Sequence, residues 1–590
     1  MRFLGNVLAT IVGLFLFFFL FIFLSVALVS SFSTQSQEVV KVARNSVLKL
    51  TLNKPFKERI TEENPFEDLD VLPAVSNVAI GLIDLKNEIE NAKLDPNISG
   101  IYLEISILSA GFATLEELRN SLLDFKSSGK FIVAYGEFFT EGAYYLASVA
   151  DEIYLNPVGI LEFDGLSTEV VYLKEFLNNI GIEPEVFRVG EYKSAVEPFL
   201  RNDMSPENRF QIQTYLNGLL QHYLQEIAEE RNIAVGDLAT ISENALIRTP
   251  ADALTRNLIT DTLYYDQVIE VLKERSGLST EDQLSLISYS QYKKSERYNR
   301  QAYSANKVAV IVAEGQIISG DGADGFMGGN KIAQEIRKAR KNEDIKAIVL
   351  RINSPGGSAL ASDIMWREVT LAAKVKPIIA SFSDVAASGG YYMAMACDTI
   401  VTYPNSITGS IGIFALLFNA ESLLTNKLGM HFETVSTGEL SNLASPTKRF
   451  SEAERKLLQQ NVEKGYKTFI GKAAEGRDLP LDSLRSLASG RVWTGAEAIE
   501  VGLADIEGGL DTAIEIAASA AGVESDYMVR YYPKKKDFLS ELLDRPIEKV
   551  SYLLGNEENE LLQPIVEKLK MINALEGAQA LLPFEVIKIE

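Results

Sequence analysis

The stretch PIIASFSDVAASGGYYMAMACDTIVTYP, residues 377–404, carries the pattern that decides the fold. An apolar run at 377–383 leads into a turn of small residues around Ser388, and a short helical run is followed by a second apolar run at 398–404. Short apolar runs bounded by turns are typical of buried strands. Strands that alternate with helices predict parallel strands joined by crossover helices.

The same alternation extends toward the N-terminus. Further β-rich runs occupy 307–317 and 347–353, while 331–342 and 363–374 have the apolar spacing of helices. We therefore predict an α/β fold built from parallel βαβ units.

The chain also repeats itself. Residues 142–157, GAYYLASVADEIYLNP, resemble GGYYMAMACDTIVTYP at 389–404, and ISGIYLEIS at 98–106 resembles IKAIVLRIN at 345–353. Both pairs are offset by 247 residues (345 − 98). This period is far longer than that of a solenoid, so it indicates a duplicated domain.

The repeat sets the predicted domain boundaries. We expect a first domain at 75–268 and a second at 307–521, joined by a polar linker at 269–306. The C-terminal extension, 522–590, contains amphipathic runs and is predicted to be helical and to pack on the body of the protein.

The N-terminal residues 1–36 are predicted to form a membrane anchor. No charged side chain occurs from Phe3 to Gln37, and the almost wholly apolar run at 7–29 is long enough to cross a bilayer as a helix. The sequence SVALVSSFS after it is a poor signal-peptidase site, which favours a retained anchor. The flanking basic residues do not decide the orientation. A short tail before one long apolar run nevertheless resembles a signal anchor that exports the rest of the chain.

Composition excludes several classes of function. The 590 residues carry 57 basic and 80 acidic side chains, a net charge of −23, which argues against nucleic-acid binding. The single cysteine, Cys397, permits no intrachain disulfide. The only histidines are His222 and His431, so no zinc site with histidine or cysteine ligands is expected, and neither is a cofactor. A hydrolase of this composition is expected to use a general base other than histidine.

Two glycine turns are candidates for an oxyanion site. The predicted strand at 347–353 runs into SPGGS, residues 354–358, and the second turn, Ala387-Ser388-Gly389-Gly390, opens the helical run. A bare backbone at a helix start presents N–H groups outward, which suits a developing negative charge. Tight packing of a helix on a strand explains either turn equally well. Two such turns in one half, one of them with a hydroxyl, favour a site.

The two halves have lost complementary residues. The first half has Glu141 where the second has Ser388, and it lacks the double glycine. Conversely, Lys193 of the first half aligns with Ser441. Most lysines are solvated surface residues, but the surroundings of Lys193, VGEYKSAVEPF, are apolar. We therefore predict one composite site, with Ser388 from one half and Lys193 from the other.

At this point the sequence resembles a known family. RINSPGGS, AASGGYYMA, SITGSIGIF and VGEYKSAVEPF are similar to the motifs of the signal peptide peptidase A family, also called protease IV. The similarity covers about 75–521 and, together with the anchor and the duplication, resembles the long, two-domain form. The resemblance implies a Clp-protease/crotonase fold in each half and a serine peptidase with a Ser–Lys dyad.

Carried over by motif, the resemblance assigns roles to five residues. Ser388 is the expected nucleophile and Lys193 the expected general base. The N–H groups of Gly357 and Gly389 are the expected oxyanion donors, and Ser410 in TGSIG matches a hydroxyl that holds the lysine amine. Lysine can accept a proton only when neutral, although its free pKa is about 10.4, and burial lowers that value. An apolar cleft closed by two domains or by neighbouring subunits would provide the burial.

The resemblance also implies partners and a location. The expected substrates are apolar peptides, namely signal-peptide remnants left in the membrane. The expected assembly is a homo-oligomer, for which the family suggests a tetramer, anchored by one pass in the bacterial inner membrane with its body outside the cytoplasm. Whether Lys193 serves its own chain or a neighbour is open. Two alternatives are a crotonase-type acyl-CoA enzyme using Glu141 and an inactive membrane scaffold.

Overall fold

A computed structural model describes residues 39–60, 79–299, 303–322, 325–535 and 578–582, together with the isolated positions Gly13 and Phe17. The predicted anchor lies outside the described residues apart from those two positions, and so do the amphipathic runs of the C-terminal extension. Within the described ranges, no helix is both long enough and apolar enough to cross a membrane.

The first half is a parallel sheet with packed helices. Its strands are β1 (Ser46–Thr51), β2 (Phe56–Lys57), β3 (Ile80–Gly81), β4 (Ile98–Glu104), β5 (Phe131–Phe139), β6 (Glu152–Leu161), β7 (Glu183–Val189), β8 (Asp261–Thr262) and β9 (Leu286–Ser288). Six of these strands form its main sheet, in the order β8-β6-β5-β4-β1-β9. Its α-helices span Leu82–Leu94, Phe112–Lys126, Glu141–Ala147, Lys174–Ile180, Glu197–Leu200, Pro206–Arg231, Val235–Glu243, Pro250–Thr255, Tyr265–Arg275 and Tyr289–Tyr292, and a 3-10 turn spans Ser194–Val196.

The second half repeats this plan. Its strands are β10 (Lys307–Glu314), β11 (Gln316–Ile318), β12 (Phe326–Gly328), β13 (Ile345–Ser354), β14 (Gly356–Ser358), β15 (Ile378–Ala387), β16 (Thr399–Thr402), β17 (Ile407–Gly409), β18 (Ile413–Asn419), β19 (Val492–Thr494), β20 (Ile506–Glu507) and β21 (Met528–Tyr532). Its main sheet runs β19-β17-β15-β13-β10-β21, and β16 pairs with β15 and β20. Its helices span Gly329–Lys341, Ala359–Ala373, Gly389–Ala394, Glu452–Gly476, Leu481–Leu487, Gly495–Glu500 and Leu510–Ala520, with a π-helical turn at Leu423–Lys427.

Both faces of the second sheet are buried, which explains its apolar strands. In β13, Ile348 and Leu350 enter one core, while Ala347 and Val349 enter the core beneath the helix Leu510–Ala520. Parallel strands covered on both faces read as nearly continuous apolar runs. The predicted parallel βαβ units are confirmed, since β10, β13 and β15 pair in parallel.

Each main sheet includes strands beyond the predicted domain spans. β1 precedes residue 75, and β9, which pairs with β1, lies in the predicted linker. β21 pairs with β10 in the corresponding position and lies in the predicted helical extension. The described part of that extension contains strands and no helix, while the runs predicted to be helical lie outside the described residues. β21 forms because β10 offers an unpaired edge, which this five-residue segment completes.

A third sheet joins the two halves. Its order is β12-β11-β14-β22-β18-β7, where β22 is Gln579–Leu581 near the C-terminus. β7 of the first half pairs antiparallel with β18 of the second half over its whole length, from Glu183 opposite Asn419 to Val189 opposite Ile413. This pairing carries the chain that follows β7 into the second half.

Buried charges fix the contact between the halves. The Arg351 guanidinium donates to Glu58 at 2.8 Å and to Glu117 at 2.6 Å, and all three side chains are buried. Nearby, Asp384 accepts hydrogen bonds from the backbone N–H and the hydroxyl of Thr114. Removing one member of a buried ion pair leaves the other uncompensated, so this cluster strongly penalises any displacement of one half on the other.

Candidate active site

Ser388 sits on a strained turn between β15 and the helix Gly389–Ala394. Its backbone has φ 55° and ψ −110°, and its N–H donates to the carbonyl of Gly409 at 2.8 Å. A non-glycine residue in such a region costs about 1–3 kcal/mol and persists only where its surroundings enforce it. The turn reverses the chain so that the hydroxyl lies at the carboxyl end of the sheet, and the side chain is fully buried.

Lys193 lies in the turn that follows β7. The backbone of this turn packs directly on a second-half turn, where the Tyr192 N–H donates to the carbonyl of Ser489 at 3.0 Å. Gly490 permits the approach: it has φ 80°, and an added Cβ would lie 2.7 Å from the Lys193 nitrogen. Lys193 of the first half thus lies against the second half through backbone contacts. These contacts leave no space for a side chain at residue 490.

Gln211 braces this turn from the long helix Pro206–Arg231. Its side-chain amide donates to the Tyr192 carbonyl at 3.2 Å and to the Ser194 hydroxyl at 2.9 Å. Its amide oxygen accepts from the N–H of Val492 in β19 at 3.3 Å. Gln211 therefore contacts both neighbours of Lys193 and the second half at once. Sequence reasoning missed this residue, and a single glutamine in an amphipathic helix gives no signal that could have found it.

The amine of Lys193 meets two serines. Nζ lies 2.8 Å from Oγ of Ser388, 2.9 Å from Oγ of Ser410 and 2.9 Å from the carbonyl oxygen of Ser410. All three side chains are fully buried. Burial holds the pKa of Lys193 well below its ordinary value, because desolvation disfavours the ammonium. A neutral amine within hydrogen-bond distance of a hydroxyl is the geometry that general-base catalysis requires.

The two predicted oxyanion turns lie side by side. Gly356 and Gly357 have φ of 99° and 149°, a region that favours glycine. An added Cβ at Gly357 would lie 2.0 Å from the carbonyl oxygen of Ile317, and one at Gly389 would lie 3.1 Å from the Gly357 nitrogen. The Ser354 hydroxyl donates to the Gly315 carbonyl at 2.7 Å and accepts from the Gly356 N–H at 3.2 Å, which fixes the turn.

The equivalent place in the first half is filled. Glu141 begins the helix that corresponds to Gly389–Ala394, and its carboxylate accepts from the N–H groups of Asp164 and Gly165 at 3.0 and 2.7 Å. Burial raises the pKa of Glu141 to about 7. Phe163 stands at the position of Ser410 by the repeat offset and packs against Tyr144. Glu141 therefore holds a loop of its own half.

Comparison with known proteins identifies the family. The model of peptidase family S49 matches residues 124–279 and again 370–524. The chain belongs to peptidase family S49. The double match confirms the predicted resemblance to the long, two-domain form, and the family makes this chain a serine peptidase.

Relatives of the S49 peptidase match most of its length. It is 36% identical over 465 residues to Protease 4 of Haemophilus influenzae, covering 76% of this chain and 75% of the relative. It is 35% identical over 504 residues to Protease 4 of Salmonella typhi, covering 84% and 80%. It is also 35% identical over 489 residues to the chloroplastic Serine protease SPPA of Arabidopsis thaliana, covering 82% and 70%.

The S49 peptidase thus brings all five sequence-predicted residues into one region. The Lys193 amine contacts both Ser388 and Ser410, and Gly389, which follows Ser388, lies close to Gly357. Sequence reasoning missed Gln211, the turn at Ser489–Gly490 and the position of β22 beside Gly357.

Proposed function

We propose that this serine peptidase cleaves peptides with a dyad formed by Ser388 and Lys193 of the same chain. The observation that carries the proposal is the 2.8 Å contact between Nζ of Lys193 and Oγ of Ser388 in a fully buried setting. Among the described residues, no carboxylate pairs with Lys193, and burial lowers its pKa, so the amine can be neutral and accept a proton.

Each residue then has a defined role in the reaction. The neutral Lys193 amine takes the proton of Ser388 as the serine oxygen attacks the peptide carbonyl carbon. The N–H groups of Gly357 and Gly389 donate to the oxygen that becomes negative. The Lys193 ammonium then protonates the leaving amine. Water, deprotonated by the same lysine, hydrolyses the acyl-enzyme, and Ser410 holds the amine in line by its hydroxyl and its carbonyl.

The proposed substrates are extended, apolar peptides, signal-peptide remnants among them. Strands β14 and β18 stand on either side of β22, so their inward edges can pair with an extended chain. Apolar side chains from both halves, Val196, Phe414 and Leu416, line the same region. We also propose that both halves share the Clp-protease/crotonase fold, which is supported by their parallel sheets.

The membrane anchor and the assembly are further parts of the proposal. We propose that residues 1–36 hold a homo-oligomer in the bacterial inner membrane with the body outside the cytoplasm. The long uncharged run at 7–29 supports the anchor. Protease treatment of intact spheroplasts should digest the body. Full protection of the body would show that it lies on the cytoplasmic side instead. A mature N-terminus near Ser31 would show that the run is removed.

A fluorophosphonate label tests the dyad. Wild type should be labelled at Ser388 and should hydrolyse an unstructured apolar peptide, whereas Ser388→Ala should do neither with an unchanged circular dichroism spectrum. Hydrolysis retained by Ser388→Ala would remove this serine from the mechanism.

A further inference from the structure

The turn that carries Lys193 belongs to neither a helix nor a strand. It follows β7 and precedes the 3-10 turn Ser194–Val196, and Lys193 has φ −78° and ψ 74°. Two backbone hydrogen bonds close it, from the Lys193 N–H to the Gly190 carbonyl at 3.3 Å and from the Ser194 N–H to the Tyr192 carbonyl at 2.9 Å. A short loop of this kind keeps one conformation only when neighbouring groups fix it.

Three buried polar side chains form a closed ring beside this turn. The Ser194 hydroxyl donates to Oδ1 of Asn208 at 2.7 Å, and Nε2 of Gln211 donates to the same oxygen and to Oγ of Ser194, both at 2.9 Å. Each of the three residues is at most 2% exposed. The Asn208 N–H donates to the hydroxyl of Ser205, which caps the helix Pro206–Arg231. A buried network with paired groups is rigid, so the ring joins the turn firmly to this helix.

The oxygen of the Gln211 amide connects the ring to the strands behind the two serines. It accepts from the N–H of Val492 in β19 at 3.3 Å. Val492 lies opposite Gly409 of β17, the residue that precedes Ser410. The Gly409 carbonyl also accepts from the N–H of Ser388 at 2.8 Å. One amide therefore links the turn that carries the base to the strand pair that holds both of its hydroxyl partners.

We propose that Gln211 is a positioning residue, which fixes the turn of Lys193 against β19 and so holds the amine in line with Ser388. The proposal rests on the proposed function of the dyad and adds a residue that acts through Lys193. The orientation of the amide is specific, because its nitrogen faces only acceptors, the Tyr192 carbonyl among them, and its oxygen faces an N–H group.

A loosened turn should have two consequences at the amine. The 2.8 Å contact between Nζ of Lys193 and Oγ of Ser388 would lengthen, and a displacement of about 1 Å can lower a rate by about 100-fold. Water would also reach the amine and return the pKa of Lys193 toward its ordinary value, because desolvation is what lowers it. A residue that only stabilised the fold would produce neither effect in the folded protein.

The variant Gln211→Met tests the proposal, because methionine keeps the length of the side chain and loses the amide. We expect kcat to fall about 10-fold to 100-fold with little change in KM. The rate at which fluorophosphonate labels Ser388 should fall with it at neutral pH, and the midpoint of its pH profile should move up by about half a pH unit or more. The matched control is Gln213→Met, since Gln213 is exposed on the same helix and its amide donates to Asn217 at 2.9 Å. The control should match wild type in rate and midpoint.

A lower melting temperature of Gln211→Met together with the wild-type labelling rate and midpoint would overturn the positioning role. If Gln211→Met does not fold, Ser194→Ala decides, because it opens the same ring by removing one hydroxyl. We expect a smaller change in the same directions, and a wild-type profile of that variant would overturn the role.

Lys193→Met, measured alongside, separates this proposal from the proposed function. Slow labelling of Lys193→Met with wild-type labelling of Gln211→Met would overturn only the role of Gln211. Labelling of Lys193→Met at the wild-type rate would overturn the dyad and the role of Gln211 together.

Discussion

The amine of Lys193 and the hydroxyl of Ser388 are 2.8 Å apart although 195 positions separate them in the chain. The contact exists because β7 of the first half pairs with β18 of the second half and delivers the turn that follows β7. The first half has Lys193 but Glu141 in place of the serine, whereas the second half has Ser388 but Ser441 in place of the lysine. In the proposed mechanism, the duplicated domain therefore has one site instead of two.

Replacing the lysine should separate catalysis from stability. Lys193→Met removes a buried amine but keeps an unbranched apolar chain of similar size, so we expect hydrolysis to fall about 10²–10⁴-fold, the usual contribution of a general base. The melting temperature should stay the same or rise, because the desolvated amine is lost. Peptide hydrolysis and thermal unfolding measure the two effects. Lys193→Arg should lose peptide hydrolysis, because arginine stays protonated and cannot act as a base. It should also lower the melting temperature, because the charged group would be buried at this site.

Activity should rise with pH through a lysine pKa that lies well below the ordinary value. Activity rises with pH because only the neutral Lys193 amine accepts a proton, and the amine becomes neutral above its pKa. The free energy of unfolding should also rise with pH. Between the lowered pKa and about pH 10.4, Lys193 is protonated in the unfolded chain but not in the folded protein. Profiles of kcat/KM and of unfolding free energy against pH check this. Activity that falls as pH rises through neutrality would contradict it.

Ser410 should orient the amine. Ser410→Ala removes the hydroxyl that lies 2.9 Å from Nζ of Lys193, and we expect kcat to fall by about 10-fold to 100-fold with little change in KM. Because Ser410 has φ 49°, alanine also adds backbone strain. Ser410→Gly removes the hydroxyl without strain and is the matched control. If Ser410→Gly has wild-type kcat, the hydroxyl has no role.

Gly357→Ala should destroy the oxyanion turn. The new Cβ would lie 2.0 Å from a backbone oxygen, so the turn must move, and the loss of one oxyanion donor typically lowers kcat about 10²–10³-fold. Gly277→Ala is the control for backbone strain alone, since Gly277 has φ 71° and open space around it. Gly277→Ala should lower the melting temperature without changing kcat. Equal kinetics of the two variants would exclude a catalytic turn at Gly357.

The features predicted from sequence are those with a local pattern or an internal copy. The buried strands β10, β13 and β15 carry long apolar runs, and the repeat exposed the exchange of Ser388 for Glu141 and of Lys193 for Ser441. Such signals need no knowledge of the packed structure.

The features that sequence reasoning missed depend on distant partners. β9, β21 and β22 have three to five residues each, and their conformation is decided by the free edge that they complete. The role of Gln211 likewise exists only once the Lys193 turn lies between its helix and β19. The secondary-structure propensity of the local sequence predicts neither these short strands nor the role of Gln211.

The rate at which fluorophosphonate labels Ser388 tests the central claim most directly. It reports the reactivity of one hydroxyl, without substrate binding or product release. We predict that the labelling rate of wild type rises with pH through the lowered pKa of Lys193, and that Lys193→Met, folded by circular dichroism, is labelled at least about 100-fold more slowly at every pH. Labelling of Lys193→Met within a few-fold of wild type, with the same pH profile, would show that Lys193 is not the base for Ser388.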